Sequence, residues 1–340
     1  MTGTQAGGTF SPAMRIFRHL GDLPASLRRA AVAIGNFDGV HRGHKAVIAE
    51  AGQLAHAHGR PWAVLTFEPH PRNLFRPNDP PFRLTRFRAK ARAIAEMGVD
   101  FLVALRFDRA FASFTADEFV RRVLAEGLGA SHVVAGYDFQ FGKGRTGNCE
   151  LLLHTGRTFG FDFTAVHAVR DEAGEVLASS RVRDALRRGD AREAAAILGR
   201  PHEIEGSVVK GDARGRTIGF PTANIPLQAC LRPAGGVYAV RALIEDRHGS
   251  GGDPRWHSGV ANFGHRPTFG GTEEVLEVFL FDFDGDLYGR RLRVQLIEHI
   301  RPERKFAGIE ALRAQIAEDS ARARRILAET PKLVAGPAHS

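Results

Sequence analysis

Gly35-Asn36-Phe37-Asp38-Gly39-Val40-His41-Arg42-Gly43-His44 follows a short apolar run, Ala30–Gly35 (AAVAIG), and leads into a segment with helical periodicity from about Arg42 to His58. The run predicts a strand, Asp38-Gly39 a turn, and the stretch from Arg42 a helix. A helix N-terminus presents unpaired backbone N–H groups and a partial positive charge, and both suit phosphate. Two histidines three apart, with a glycine before the second, can both face that phosphate while the backbone comes close. Transfer of a nucleotidyl group needs donors for charge on the equatorial oxygens and two substrates held in line, with little covalent help. H-x-x-H alone fits metal ligands, caps or surface residues equally well. Ten specific residues at a strand-to-helix junction favour the phosphate reading.

Outward from this loop the first half alternates. Strands are predicted at Trp62–Phe67, Phe101–Phe107, Ser131–Gly136 and Asp162–Val169. Helices are predicted at about Thr85–Met97 and Asn148–Thr158, with a further one opened by a capping box at Thr115 and Glu118. This alternation means right-handed crossovers and a doubly wound, mostly parallel sheet, with ligands beyond the carboxyl ends of the strands.

The texture changes after about residue 180. A helical stretch, Ser180–Leu198, is broken at Gly189-Asp190 and closed by Gly199-Arg200-Pro201. Strand-like runs follow at Glu203–Lys210, Val237–Glu245, Val275–Phe283 and Arg291–Ile300, separated by glycine-rich turns. Strands without intervening helices predict a small antiparallel β-barrel. A C-terminal amphipathic helix is predicted over about Ile309–Leu327, and Asp246–Pro254 reads as a surface loop. The expected organisation is an α/β domain over 14–186, a helical linker over 187–201 and a barrel domain over 202–328.

The gross numbers agree with two domains. The chain has 340 residues, 43% of them apolar and 25% charged. No apolar run reaches the roughly 18 to 20 residues of a membrane helix, and the first residues lack the pattern of a signal peptide. Cys149 and Cys230 have no partner at metal-like spacing, which fits reduced thiols in a cytoplasmic protein. The net charge of +9 comes with no basic block interleaved with aromatics, so neither a nucleic-acid nor a membrane partner is expected. Nothing in the composition bears on oligomeric state.

Two motifs mislead. Gly142-Lys143-Gly144-Arg145-Thr146-Gly147 fits G-x-G-x-x-G, but the preceding strand ends several residues too early for a dinucleotide fingerprint, and Gly144 stands where a P-loop needs serine or threonine. Asp282, Asp284 and Asp286 suggest calcium. The glycine and glutamate an EF-hand requires are Leu287 and Arg293 here, so a tight turn is expected.

In the second half, Gly215–Asn224 (GRTIGFPTAN) offers Thr222 and Asn224 as hard oxygen ligands suited to Mg²⁺. Alone, P-T-A-N reads as a turn, and Glu277 as one polar residue on an alternating strand (VLEVFLF).

GNFDGVHRGH resembles the loop of the nucleotidyltransferase superfamily that carries a histidine-x-glycine-histidine motif. More narrowly, the chain resembles the bacterial bifunctional riboflavin kinase/FAD synthetases. Segments Thr66–Pro71 (TFEPHP), Arg83–Thr85 (RLT), Val134–Gly147 (VAGYDFQFGKGRTG), Gly215–Asn224, Gly235–Tyr238, Gly259–Gly264, Arg266–Thr268 and Arg301–Glu303 match that family in order. The resemblance implies an enzyme that phosphorylates riboflavin to FMN with ATP, then transfers AMP from a second ATP to FMN, giving FAD and pyrophosphate. Its partners would be riboflavin, FMN and ATP, with Mg²⁺ as cofactor. His41 and His44 would contact the ATP phosphates, and Gly35, Phe37 and Asp38 would shape the nucleotide loop. Ser179, Ser180 and Arg183 would hold the outgoing phosphates. Gly211, Gly219 and Pro221 would line the kinase nucleotide, and Thr222 and Asn224 would hold Mg-ATP. Glu277 would be the base for the riboflavin 5′-hydroxyl. Asn73, Asp138 and Arg301 would lie on the flavin side. The family pattern has a further hydroxyl where Ala178 stands, and commonly a histidine at Phe279. A single-function adenylyltransferase with a regulatory barrel is the next reading, and the kinase-like motifs argue against it.

Overall fold

The computed structural model describes residues 14–210, 219–245, 255–268 and 271–331, with 265–268 and 271–273 as backbone only. The chain divides into two compact units. One takes in the described residues up to Asp79 and Phe87–Val176, and the other takes in Pro80–Arg86 and the described residues from Leu177.

The first unit contains β1 (Arg15–Phe17), β2 (Ala31–Ile34), α1 (Arg42–Ala57), β3 (Trp62–Glu68), α2 (Pro71–Phe75), α3 (Phe87–Ala95), β4 (Phe101–Arg106), α4 (Arg109–Ala112), α5 (Ala116–Phe119), β5 (His132–Gly136), α6 (Cys149–Phe159) and β6 (Asp162–Val166). Its strands form a parallel sheet in the order β1-β4-β3-β2-β5-β6. Alternate residues serve opposite faces, as the pleat requires. In β2, Val32 and Ile34 pack with Phe119, Val123 and Leu152, while Ala31 and Ala33 pack with Ile48, Ala51 and Ile94. Both faces are therefore covered, which is why these strands read as continuous apolar runs. The strand order reverses beside β2, so the loop leaving β2 stands at the switch point where such sheets bind ligands.

The box at Thr115 forms in both directions. Thr115 Oγ1 accepts from the Glu118 N–H at 3.1 Å, and Glu118 Oε2 accepts from the Thr115 N–H at 3.0 Å. The helix then widens into a π-helical stretch, Val120–Gly127, that no sequence pattern announces. The false fingerprint at 142–147 is a loop pinched by the Phe141–Gly147 pairing, and Asn148 caps α6 only after it.

The second unit contains α7 (Ser179–Arg187), α8 (Ala191–Leu198), β7 (His202–Ser207), β8 (Ala223–Pro226), β9 (Gly236–Glu245), β10 (Trp256–Thr268), β11 (Gly271–Leu280), β12 (Arg291–Arg301) and α9 (Ile309–Glu329). The predicted break at Gly189-Asp190 separates α7 from α8, and Asp190 caps α8 by accepting from the Glu193 N–H at 2.8 Å. The strands form an antiparallel sheet in the order β7-β12-β9-β10-β11-β8. A bridge from Val209 to Asn224 closes it into a barrel around Ile204, Ile225, Val240, Phe263, Leu276 and Val294. Charge pairs lock the β7–β12 register: Arg293 meets Glu203 with two bonds of 3.0 and 3.1 Å, and Arg291 meets Glu205 at 3.0 Å.

The outer barrel face is covered by α9 through Ala323, Ile326 and Leu327, which pack on Val237, Ala239, Val260, Ile297 and Ile300. The buried Arg241 guanidinium holds the C-terminal end of α9, donating to the carbonyls of Leu327 at 3.1 Å and Pro331 at 2.9 Å. A cation there complements the helix dipole. Asp282 opens the turn after β11 and pairs with Arg324, and Asp286 accepts from the Tyr288 N–H, so the DFDGD segment is a turn.

Three strands lie outside the predicted ones. β1 spans three residues, too few for a pattern. β8 begins in the PTAN motif and β10 runs through the Gly259–Thr268 motifs, where glycine and proline masked the alternation.

Burial depresses the affinity of His132, His257 and His299 for protons, desolvation being the largest cause in each. The unfolded chain then binds more protons near pH 6.5, so stability is complete above that pH and falls as pH drops through it. The melting temperature is expected to decline between about pH 7.5 and 5.5, and less so in His132→Gln and His299→Gln. Equal declines in the variants and the parent would contradict this.

Candidate active sites

The first site is the loop between β2 and α1. His41 is the N-cap of α1, with extended backbone angles of −73° and 170°. Its Nδ1 accepts from the His44 N–H at 3.3 Å, which in the neutral ring leaves the proton on Nε2. The two imidazoles stack at 3.6 Å between centroids, and Phe37 meets His44 edge-on at 5.3 Å. Asp38 and His41 are buried. Phe37 and Val40 have positive φ of 46° and 44°, a strained conformation for residues with side chains. Gly35 admits the ring of Phe37: a Cβ there would lie 2.9 Å from it. The histidines are therefore held by capping, stacking and packing at a helix N-terminus, where charge on phosphoryl oxygens is stabilised.

Asn73 lies in α2, half-buried, its N–H donating to the His70 carbonyl at 2.8 Å. Asp138 is exposed in the turn beyond β5. The motif reading overlooked a group of aromatics contributed beyond the carboxyl ends of β3 and β4. Phe107 contacts Phe67, Phe75 and Phe111 at ring distances of 5.6 to 6.0 Å. Phe75 is 66% exposed, a large apolar surface beside the strand ends. These phenylalanines are scattered in sequence, and only the parallel crossovers bring them together.

Ser179 and Ser180 open α7 in the second unit, and Ala178 stands at its N-cap without a side-chain cap bond. The hydroxyl missing at Ala178 is thus missing at the position where serine or threonine would bond the first turn. Arg183 donates through Nε to the Phe82 carbonyl at 2.9 Å. The segment carrying Arg83 is held in the same unit, where the Arg83 carbonyl accepts from the Leu231 N–H at 2.8 Å.

The second site lies on the barrel. Asn224 of β8 pairs with Glu277 of β11, which pairs with Asn262 of β10. Their sequence neighbours Ala223, Ile225, Ala261, Phe263, Leu276 and Val278 fill the barrel core, so the three polar residues share the opposite face. Directly opposed residues have Cβ atoms about 4.5 to 5.5 Å apart. Asn224 is 5% exposed, and its Oδ1 has no hydrogen-bond partner among the described residues. A buried, unpaired side-chain carbonyl fits a hard cation. Thr222 is half-buried two residues before it, and Gly219 and Pro221 precede it in the same segment. Gly211 lies outside the described residues, as do Gly215–Ile218 and the Asp246–Pro254 loop. Phe279 meets Phe220 edge-on at 5.3 Å, packing the PTAN segment against β11.

Asn262 went unassigned in the sequence. Its Nδ2 reaches Glu303 Oε1 at 3.5 Å, and its register with Glu277 is the signal that identifies it. Arg301 continues the row through Val237, but its guanidinium is engaged by Asp319 of α9 at 2.7 to 3.1 Å. Gln315 donates to the same carboxylate at 2.9 Å.

A strand-to-helix loop with two histidines on a doubly wound sheet, joined in one chain to a barrel that sets a carboxylate beside a side-chain carbonyl with no hydrogen-bond partner among the described residues, suits a two-headed nucleotide-dependent transferase. Residues 23–181 match the family model described as FAD synthetase, and residues 198–327 match the one described as riboflavin kinase. The chain is 43% identical to the bifunctional riboflavin kinase/FMN adenylyltransferase of Escherichia coli K12, over 93% of this chain and 99% of that protein. It is 36% identical to the protein of the same description from Bacillus subtilis, over 89% and 94%. A crystal structure from Streptococcus pneumoniae described as a macrolide-efflux protein superposes with a TM-score of 0.79 at 32% identity, covering 92% of this chain and 99% of that one. Among the described residues no helix is long and apolar enough to cross a membrane. The chain belongs to the bifunctional riboflavin kinase/FMN adenylyltransferase family. It is an enzyme that phosphorylates riboflavin with ATP and joins AMP from ATP to FMN.

Proposed function

We propose that the Gly35–His44 loop performs adenylyl transfer and that the Asn224–Glu277–Asn262 row performs the kinase step, as functions of domains over 14–186 and 202–328 joined through 187–201. The observation that carries the division is the register that sets Glu277 opposite Asn224, with its unpaired buried Oδ1.

In the kinase step, Glu277 takes the proton of the riboflavin 5′-hydroxyl as that oxygen attacks the γ-phosphorus of ATP. The bond to the β-phosphate oxygen breaks and ADP leaves. Thr222 and Asn224 would hold Mg²⁺, which when bound offsets the negative charge of the triphosphate. Gly219 and Pro221 line the nucleotide, a role the resemblance also assigns to Gly211, outside the described residues, and Arg301 contributes on the flavin side.

In the adenylyl step, an FMN phosphate oxygen attacks the α-phosphorus of ATP and pyrophosphate leaves. His41, His44 and the first turn of α1 stabilise the charge that develops on the phosphoryl oxygens. Gly35, Phe37 and Asp38 shape the loop, while Ser179, Ser180 and Arg183 receive the pyrophosphate. Asn73 and Asp138 orient the flavin nucleotide, and Phe75 and Phe107 offer a flat apolar surface to its ring system. Both reactions draw on ATP, and the two free cysteines accord with a reducing cytoplasm.

Titration of Mg²⁺ against FMN formation tests the metal assignment. Asn224→Ala is expected to raise the half-saturating Mg²⁺ concentration about tenfold or more, since losing one ligand or its support weakens metal binding by about that much. An unchanged Mg²⁺ requirement would remove Asn224 from the metal site.

A further inference from the structure

Lysine is rare in this chain: six of 47 basic residues. Yet Lys90, on α3, is the lysine or arginine of the first unit that is buried among the described residues, at 1% exposure. Its ammonium donates to Glu68 Oε1 at 2.9 Å and to Thr66 Oγ1 at 3.4 Å. Thr66, fully buried on β3, donates its hydroxyl in turn to the Asn36 carbonyl at 3.2 Å. Asn36 belongs to the nucleotide loop. The peptide so gripped precedes Phe37, whose φ of 46° needs surrounding structure to hold it. The Phe37 ring then packs edge-on against His44. A continuous chain thus runs from a buried charge to the site histidine.

The chemistry of each link favours a fixed loop. A hydroxyl that accepts from an ammonium donates more strongly to the carbonyl beyond it. A compact ammonium on a flexible stem makes this contact where the broad planar guanidinium would not, which accounts for lysine here in an arginine-rich chain. Glu68 balances the charge that burial would otherwise make costly. We propose that Lys90 is a positioning residue for adenylyl transfer, acting through Thr66 on the Asn36–Phe37 peptide to set the loop for the triphosphate. This rests on the reading that the Gly35–His44 loop holds ATP.

The test is steady-state kinetics of FAD formation from FMN in the full chain. Lys90→Met and Thr66→Val are each expected to raise KM for ATP about tenfold or more while kcat stays within about threefold, the mark of lost ground-state positioning. The double variant should be no worse than the weaker single, because both cut one relay. Thr66→Ser, which restores the hydroxyl, should return KM to near the parent value. Should Lys90→Met fail to fold, the Thr66→Val and Thr66→Ser pair carries the test alone. A merely structural role lowers kcat with the active fraction and leaves KM unchanged, and that result would overturn the inference. Effects that multiply in the double variant would overturn it too. His44→Ala separates the two layers. If it forms FAD at the parent rate, the reading of the loop fails. If it does not, while the Lys90 and Thr66 variants keep the parent KM, only the relay fails.

Discussion

His44→Ala is expected to lower FAD formation from FMN by about 10² to 10³-fold, as removal of one preorganised donor to a developing oxyanion does, and to leave FMN formation from riboflavin at the parent rate. His44 stands in the first turn of α1, where its own N–H is bonded by His41 and its ring lies between His41 and Phe37. Alanine has the best helix propensity, so α1 persists, and the backbone N–H of residue 44 still donates to the cap at His41. What is lost is the imidazole at the helix N-terminus. Product separation by chromatography reads both activities in one reaction. A parallel fall in FMN and FAD would show that the variant damages the chain as a whole, against this assignment.

Glu277→Ala is expected to do the reverse: FMN formation falls by about 10² to 10⁴-fold, the usual worth of a positioned general base, and FAD still forms from supplied FMN. The residue faces away from the barrel core, so its truncation leaves Leu276 and Val278 packed as before. A strand substitution on such a face changes stability by about 1 kcal/mol at most. Glu277→Gln keeps the shape and loses the base, and should fail to the same degree. If glutamine retained the activity, Glu277 would be orienting the hydroxyl without accepting its proton, and the proton would leave by another route.

Much of this molecule was legible in its residues, and unevenly so. The parallel sheet showed itself because each buried strand is a short apolar run and helices such as those capped by Thr115 and Asn148 alternate with them. The Gly35–His44 loop was legible because its glycines, turn and histidines all fall between Ile34 and the first turn of α1. The barrel was legible as a class, yet β8 and β10 were read as motifs because Pro221, Gly259 and Gly264 interrupt the alternation. Asn262 could be assigned only from register, since pairing with Glu277 is a property of two strands and not of either sequence. The segment Pro80–Arg86 follows α2 in the chain but is held by Arg183 and Leu231, contacts separated from it by about a hundred residues or more. Lys90 carried no signal beyond its rarity: a buried ion pair between a helix and a strand end has no local pattern.

If the two active sites in one chain are separable, mixing the two variants restores the full reaction sequence. His44→Ala and Glu277→Ala are each incubated alone, and then together in equal amounts, with riboflavin, ATP and Mg²⁺, and the flavins are separated over time. The first alone should accumulate FMN, and the second alone should leave riboflavin unchanged. The mixture should form FAD after a lag in which free FMN passes from one protein to the other. No FAD from the mixture, or FAD formed at the parent rate by either variant alone, would contradict the division of the two reactions between these sites.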